Sequence, residues 1–286
     1  MNKKLFLPID LLNDNNNSQV CLKSLIINES FLNKSNSNLL IPIGLNESGE
    51  YIYKDIKEMP HLLISGISGS GKSVFIHSVI NSLLYSNGSN TLQFVLFDFK
   101  QVELHMYKDL PNLLVPIIQN FDEGKNAICY LIQEMDNRFS LLKQAEKYNL
   151  DSYNNYAKEN NKSILSSIVV IFDEVDCFLA DKEILNQISM LVAKGRAVGI
   201  HFIFASQLFD SYNMPATIKA NIPVRIAFRM NSIDHSVFIV NSAKAIDLKR
   251  YNQIIYCDQK DSQIITTPFI SMPEIRAVVE YIKENK

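Results

Sequence analysis

Apolar runs of strand length recur along this chain at residues 39–43, 62–65, 92–98, 168–173, 201–206, 225–228, 254–256 and 264–270. They are near-continuous rather than alternating, the pattern of strands buried on both faces. Stretches with helical spacing fall between them, at residues 72–85, 122–147, 182–197, 233–240 and 273–283. Strand and helix in alternation predict an α/β fold, a mostly parallel central sheet flanked by helices. The polar stretch 148–167, rich in Asn and Lys, reads as the tail of the long preceding helix followed by a surface loop. Residues 1–38 have a different texture. Two Asn-rich runs, one around Asn13, Asn15, Asn16 and Asn17 and one from Asn33 to residue 38, read as loop or linker. Between them, residues 20–32 are apolar enough to pack as a short helix or strand. The chain therefore divides into a polar, partly flexible N-terminal segment, residues 1–38, and a regular α/β domain, residues 39–286.

Composition narrows the picture little. The 286 residues suffice for one large domain, and the 47% apolar and 20% charged content is globular. The net charge of −2 gives no global basic excess for nucleic acid, although a pore needs only local basicity. Four scattered cysteines, Cys21, Cys129, Cys177 and Cys257, form no C-x-x-C pair, so neither a zinc site nor a disulfide scaffold is expected. No signal-peptide core develops, and the longest apolar runs fall far short of the ~20 residues of a membrane span. A cytoplasmic protein is expected, associated with a membrane only through a partner.

The chemistry begins at Gly66-Ile67-Ser68-Gly69-Ser70-Gly71-Lys72-Ser73, which fits G-x-x-x-x-G-K-[ST]. Gly66 and Gly71 permit close backbone approach, so that successive N–H groups cradle a β-phosphate. Lys72 would reach the β- and γ-phosphates, and Ser73 would supply a ligand to Mg²⁺. The loop follows a buried-strand pattern and opens a helix, the setting this motif requires. A second apolar run ends in Asp173-Glu174. Ligands collect at the carboxyl ends of parallel strands. Asp173 would hold Mg²⁺, and Glu174 would accept a proton from the water attacking ATP. A third run ends at Gln207, which would either sense the γ-phosphate or simply occupy a turn. Arg138, Arg196, Arg225 and Arg229 stand near structured segments. One of them would cross to a neighbouring subunit's site, and the residues alone do not say which.

Longer stretches resemble a known family. Met59-Pro60-His61-Leu62-Leu63-Ile64-Ser65-Gly66, running into Gly69-Ser70-Gly71-Lys72-Ser73, is similar to the "MPHLLVAG…GSGKS" segment of the FtsK/SpoIIIE motors. Asp98-Phe99-Lys100, Glu103-Leu104 and Tyr107 resemble the family's "DPK…EL..Y", and Glu134, Met135 and Arg138 its "EM..R". Residues 194–201 resemble "KARAAGIH", residues 205–207 "ATQ", and residues 218–228 "IKANIPTRIAF". The resemblance spans residues 39–283. It implies a RecA-like P-loop fold, a hexameric homo-oligomer, and ATP-driven movement of double-stranded DNA through a central channel. It makes Lys72, Ser73, Asp173 and Glu174 the hydrolytic residues and Gln207 the sensor. Arg196 is the first choice for the arginine acting in trans, with Arg225 second. Two segments depart from the family pattern: Ser206-Gln207-Leu208-Phe209-Asp210 lacks its Arg-Pro, and residues 249–255 replace its Gly-rich "GMGDML". These changes bear on substrate and ring contacts rather than phosphate chemistry. The family's membrane helices and DNA-reading winged helix are not recognised here, so a minimal motor, as of a mobile element, is expected. Alternatives sharing the motor fold are a coupling ATPase of conjugative DNA transfer and a type VII-like secretion ATPase, either with a secretion-channel partner.

Overall fold

The computed structural model describes residues 6–13, 20–33, 38–174, 176–248, 251–258 and 261–285. Most of the two Asn-rich runs, and Lys249 and Arg250 of the departing segment, lie outside the described residues. Among the described residues, nine strands join in one sheet: β1 (Leu40–Asn46), β2 (Tyr51–Asp55), β3 (His61–Ser65), β4 (Leu92–Asp98), β5 (Ser167–Asp173), β6 (Ile200–Ser206), β7 (Val224–Ala227), β8 (Gln253–Cys257) and β9 (Ser262–Thr266). Their spatial order is β2-β1-β9-β8-β7-β3-β6-β5-β4. The half from β7 through β3, β6 and β5 to β4 is parallel, and the extension through β8, β9, β1 and β2 is antiparallel. The helices are α1 (Leu22–Ile26), α2 (Glu29–Asn33), α3 (Lys72–Ser86), α4 (Phe121–Gln144), α5 (Leu150–Glu159), α6 (Asp176–Leu179), α7 (Lys182–Lys194), α8 (Ala216–Lys219), α9 (Ile233–Val240) and α10 (Met272–Glu284).

The continuous apolar strands have a direct explanation. Leu62, Ile64, Val169 and Ile171 face one core, with α3 and α10, while Leu63, Ile168, Val170 and Phe172 face the other, with α4, α7 and α9. Successive side chains point to opposite faces, so a strand covered on both sides must be apolar throughout. On the second face Phe172 stacks on Phe204 with ring centroids 5.3 Å apart. Leu12, Leu22, Leu25, Ile26 and Phe31 are buried in the first core, beside α3 and β1.

Three expectations change. Residues 148–167 are not a helix tail and loop: α4 stops at Ala145, Glu146 turns left-handed (φ 55°), and α5 begins anew. A capping box between Asn149 and Ser152 starts α5 and buries Leu150, Tyr153 and Ala157. Strand β2, absent from the sequence reading, pairs antiparallel with β1 at the sheet's edge. The last strand ends at Thr266 rather than residue 270, just before Pro268, which has no N–H to continue a ladder.

Candidate active site

Residues 66–71 carry the chain from β3 to α3. Gly69 (φ 74°) and Gly71 (φ 104°) hold left-handed backbone angles. A Cβ at Gly71 would lie 2.5 Å from the carbonyl oxygen of Tyr251, and one at Gly66 2.4 Å from Phe228 Cβ. Neither position has room for a side chain. Ile67 N–H donates to the Arg229 carbonyl (3.1 Å) and Ser70 N–H to that of Ile67 (3.2 Å), which fixes the loop's curvature. Helices α4, α7 and α9 begin with side-chain caps from Asn120, Asp181 and Ser232, but α3 begins at Gly71 with none. Its free N–H groups and the positive end of its dipole therefore face the loop, an anion-binding arrangement.

Strand register builds the acidic wall. Asp98 pairs with Asp173 and Asp173 with Ala205, while Ser65 pairs with Ser206, so the strand tips align beside the loop. Asp173 is 3% exposed, and burial pushes its carboxyl up to about 7 despite the opposing charge of Lys72. Its Oδ1 is buried without a hydrogen-bond partner, as is Ser70 Oγ. Buried polar atoms are normally satisfied, so these two fit a bound cation and phosphate. Among the described residues, no group of three or more His, Cys, Asp or Glu is spaced to hold a metal. Mg²⁺ takes one or two protein ligands together with substrate phosphates and water, and the unpartnered Asp173 Oδ1 would serve as one of them.

Glu174 occupies a left-handed conformation (φ 57°), with its N–H donating to the Ala205 carbonyl at 2.8 Å. Non-glycine residues rarely adopt this region, and such strain gathers at functional sites. One carboxylate oxygen pairs with Lys72 Nζ and the other lies 3.6 Å from Lys100 Nζ. Burial pushes this carboxyl up, but the hydrogen bond and charge of Lys72, together with Gln207 and Lys100, outweigh it and hold it below the usual range. Gln207, exposed at the tip of β6, faces Glu174.

The structure thus brings the loop, Asp173, Glu174 and Gln207 together, and it separates the arginines. Arg138 is 2% exposed and bonded to Glu134 (2.7 Å) and to the carbonyls of Ser166 (2.8 Å) and Val198 (2.9 Å). It clamps α4 to the entries of β5 and β6 and is unavailable to a neighbour. Arg196 is exposed just before β6, at the amino edge of the parallel strands. A seven-residue strand is roughly 20 Å long, so Arg196 is remote from its own loop. It lines a groove of about 510 Å³ with His61, Asn221 and Asp258. Arg225 lies near the same edge, bonded to the Ile222 carbonyl (3.3 Å), while Arg229 is exposed beyond β7, beside its own loop. Sequence reasoning gave no role to Asp98, at the tip of β4, or to Lys100 and Glu103, which the turn after it delivers to the site. The available signal was Asp98 itself, an acid at the tip of a buried strand, as Asp173 is.

A phosphate cradle at the tip of β3, flanked by strand-tip acids, defines a P-loop ATPase of the RecA-like α/β type. The FtsK/SpoIIIE family profile matches residues 23–211, and the chain belongs to that family. It is 34% identical over 271 residues to the DNA translocase FtsK of Campylobacter jejuni subsp. jejuni serotype O:23/36 (strain 81-176), covering 93% of this chain and 28% of that protein. The FtsK of Staphylococcus aureus (strain Mu50 / ATCC 700699) is 34% identical over 282 residues, covering 94% and 36%. The chain thus spans about a third of the length of these relatives. Among solved structures, the pCW3 conjugation coupling protein TcpA, a monomer form with ATPγS, superposes with a TM-score of 0.76 at 25% identity, covering 88% of this chain and 72% of that one. The cytoplasmic domain of the Thermomonospora curvata type VII secretion ATPase EccC shares the fold, with a TM-score of 0.76 at 21% identity over 96% of this chain and 32% of that one. Among the described residues, no helix is long and apolar enough to cross a membrane.

Proposed function

We propose that this chain is the motor of a double-stranded DNA translocase, driven by ATP and Mg²⁺ and working as a ring of identical subunits. The 34% identity with DNA translocases over 93% of the chain carries this reading. The Lys72 ammonium pairs with the Glu174 carboxylate. Phosphates entering the loop compete for that ammonium. Its transfer to the β- and γ-phosphates releases Glu174 to accept a proton from water attacking the γ-phosphorus, and ADP departs as the P–O bond breaks. Substrate binding and exposure of the base are thereby coupled. Ser73 and Asp173 would hold Mg²⁺, which neutralises phosphate charge when bound. Gln207 orients the water from the tip of β6.

The loop side supplies cations from Lys72 and the metal, and a neighbour's arginine would add another. Arg196 fits that role because it is exposed and remote from its own loop. Mixed rings of Lys72→Ala and Arg196→Ala subunits should then recover part of the turnover that each variant lacks alone. A dead mixture of assembled variants would exclude Arg196 and turn attention to Arg225.

ATP turnover with and without linear duplex DNA tests the main reading. Stimulation by DNA is expected. A rate indifferent to DNA would favour a protein-secretion motor, whose fold this chain shares. Stimulation that also requires a conjugative DNA–protein complex would favour a coupling role, in keeping with the similarity to TcpA.

A further inference from the structure

Helix α3 is almost entirely buried, yet it carries a polar row at Ser73, His77 and Asn81. Residues four apart share a helix face, so the row runs straight down from the P-loop serine. It meets the turn after β4. The Asp98 carboxylate, fully buried, accepts from Leu104 N–H (2.9 Å) and more weakly from Val102 N–H (3.4 Å). Gln101 turns left-handed (φ 58°), and the buried Leu104 and Tyr107 anchor the turn in the core. Glu103 is therefore held over the start of α3.

The hydrogen-bond logic behind Glu103 is directional. Asn81 Nδ2 donates to the Tyr107 hydroxyl at 2.9 Å, and that hydroxyl lies 2.9 Å from His77 Nδ1. Tyr107 is fully buried, so its own hydrogen needs an acceptor, which is His77 Nδ1. The imidazole proton is then on Nε2. That atom is buried without a hydrogen-bond partner and lies 3.8 Å from Glu103 Oε2. The Glu103 carboxylate faces His77, the Ser73 hydroxyl and Lys72. A network serving only to glue turn to helix would not leave a 3%-exposed imidazole N–H short of its acceptor.

We infer that Glu103, aimed by His77 and Tyr107, is a positioning residue for the metal–nucleotide complex, acting on the water shell beside Ser73 rather than as a direct ligand. This rests on the reading that Ser73 and Asp173 would hold Mg²⁺. Mg²⁺ keeps several waters, and a carboxylate that accepts from one of them fixes the metal's orientation. Loss of such an outer partner typically costs about 10–100-fold in metal affinity.

Affinity for a fluorescent ATPγS analogue, measured in EDTA and in saturating Mg²⁺, isolates this role. The ratio of the two dissociation constants reports what the metal adds. Glu103→Gln should cut that ratio at least about tenfold and leave the EDTA value unchanged. Tyr107→Phe, which removes the hydroxyl but keeps the packing, should lower the ratio by weakening binding in the Mg²⁺ arm alone, and it carries the test if Glu103→Gln does not fold. An unchanged ratio in a variant whose wild type shows a strong metal effect overturns the inference. Equal weakening in both arms overturns it too, because that is the mark of a distorted loop. A wild-type ratio of one would remove the metal reading beneath it.

Discussion

Acidification should weaken this fold through two histidines far from the P-loop. His61 and His201 sit on neighbouring strands at the amino edge of the sheet, each 2% exposed. His61 Nε2 donates to the Val192 carbonyl (2.8 Å), and its Nδ1 accepts from Phe202 N–H (3.1 Å). His201 Nδ1 donates to the Pro60 carbonyl (3.2 Å). A second proton on His61 would oppose the Phe202 N–H, and one on His201 would be buried. Burial, with the mutual repulsion of the pair acting on His61, lowers their values to about 3 and about 4. The unfolded chain binds protons near 6.5, so it takes up more protons as pH falls and stability drops from pH 6.5 toward 4. Between pH 7 and pH 5 each histidine costs about 2 kcal/mol, on the order of 4 kcal/mol for the pair. Asp173, whose value burial raises to about 7, works in the opposite direction over the same window. Comparison with variants cancels that contribution. Urea unfolding of the wild type, His61→Gln and His201→Gln at pH 7 and pH 5 is the assay. Each substitution should remove about 2 kcal/mol of the pH-dependent loss, whatever it does to stability at pH 7. Variants that lose as much as the wild type on acidification, within about 0.5 kcal/mol, would show that the imidazoles protonate in the folded state.

Glu174→Gln should keep nucleotide binding and slow single-turnover hydrolysis by about 10²–10⁴-fold; an unchanged rate would assign the water to another group. Gly71→Ala places a Cβ 2.5 Å from the Tyr251 carbonyl at a φ of 104°. It should cost about 1–3 kcal/mol of stability and most of the nucleotide affinity, read by urea unfolding and by fluorescent-nucleotide titration, and full affinity would refute the tight loop geometry. Arg138→Ala orphans Glu134 and two carbonyls. It should destabilise by about 3–5 kcal/mol in urea, and a loss below about 1 kcal/mol would mean that water replaces the guanidinium.

The parts of the fold legible in the sequence are those whose burial is uniform. Strands β4 and β5 are covered on both faces, so the apolar run and the element end together at Asp98 and Asp173. Helix α9 was legible from its helical spacing, and the structure bounds it with a Ser232 cap at its start and a left-handed Asn241 at its end. Strand β2 is half-buried and follows no such rule, with only Tyr53 enclosed among five residues. Helix α5 hides in a polar stretch because one Asn residue serves equally as loop and as cap, and only Leu150 packing against the bare backbone of Gly199 shows which. The antiparallel half of the sheet was not legible, since strand order is set by pairing between distant segments.

The same distinction runs through the site. The P-loop is contiguous, so its chemistry can be read from eight successive residues. Glu103 and Lys100 acquire meaning only when the Asp98-caged turn folds over α3 and brings them to Ser73 and Glu174. The arginines show the converse. Arg138 and Arg196 look alike in sequence, each a cation near a structured segment. Three hydrogen bonds to its own subunit occupy Arg138, whereas Arg196 stands exposed about one strand length from its own loop. A residue whose bonds are satisfied within its subunit has nothing to offer another, so in the proposed ring an arginine acting in trans would be sought among those the fold leaves at an open edge. Arg196 meets that condition most fully, and Arg225, partly spent on the Ile222 carbonyl, meets it less.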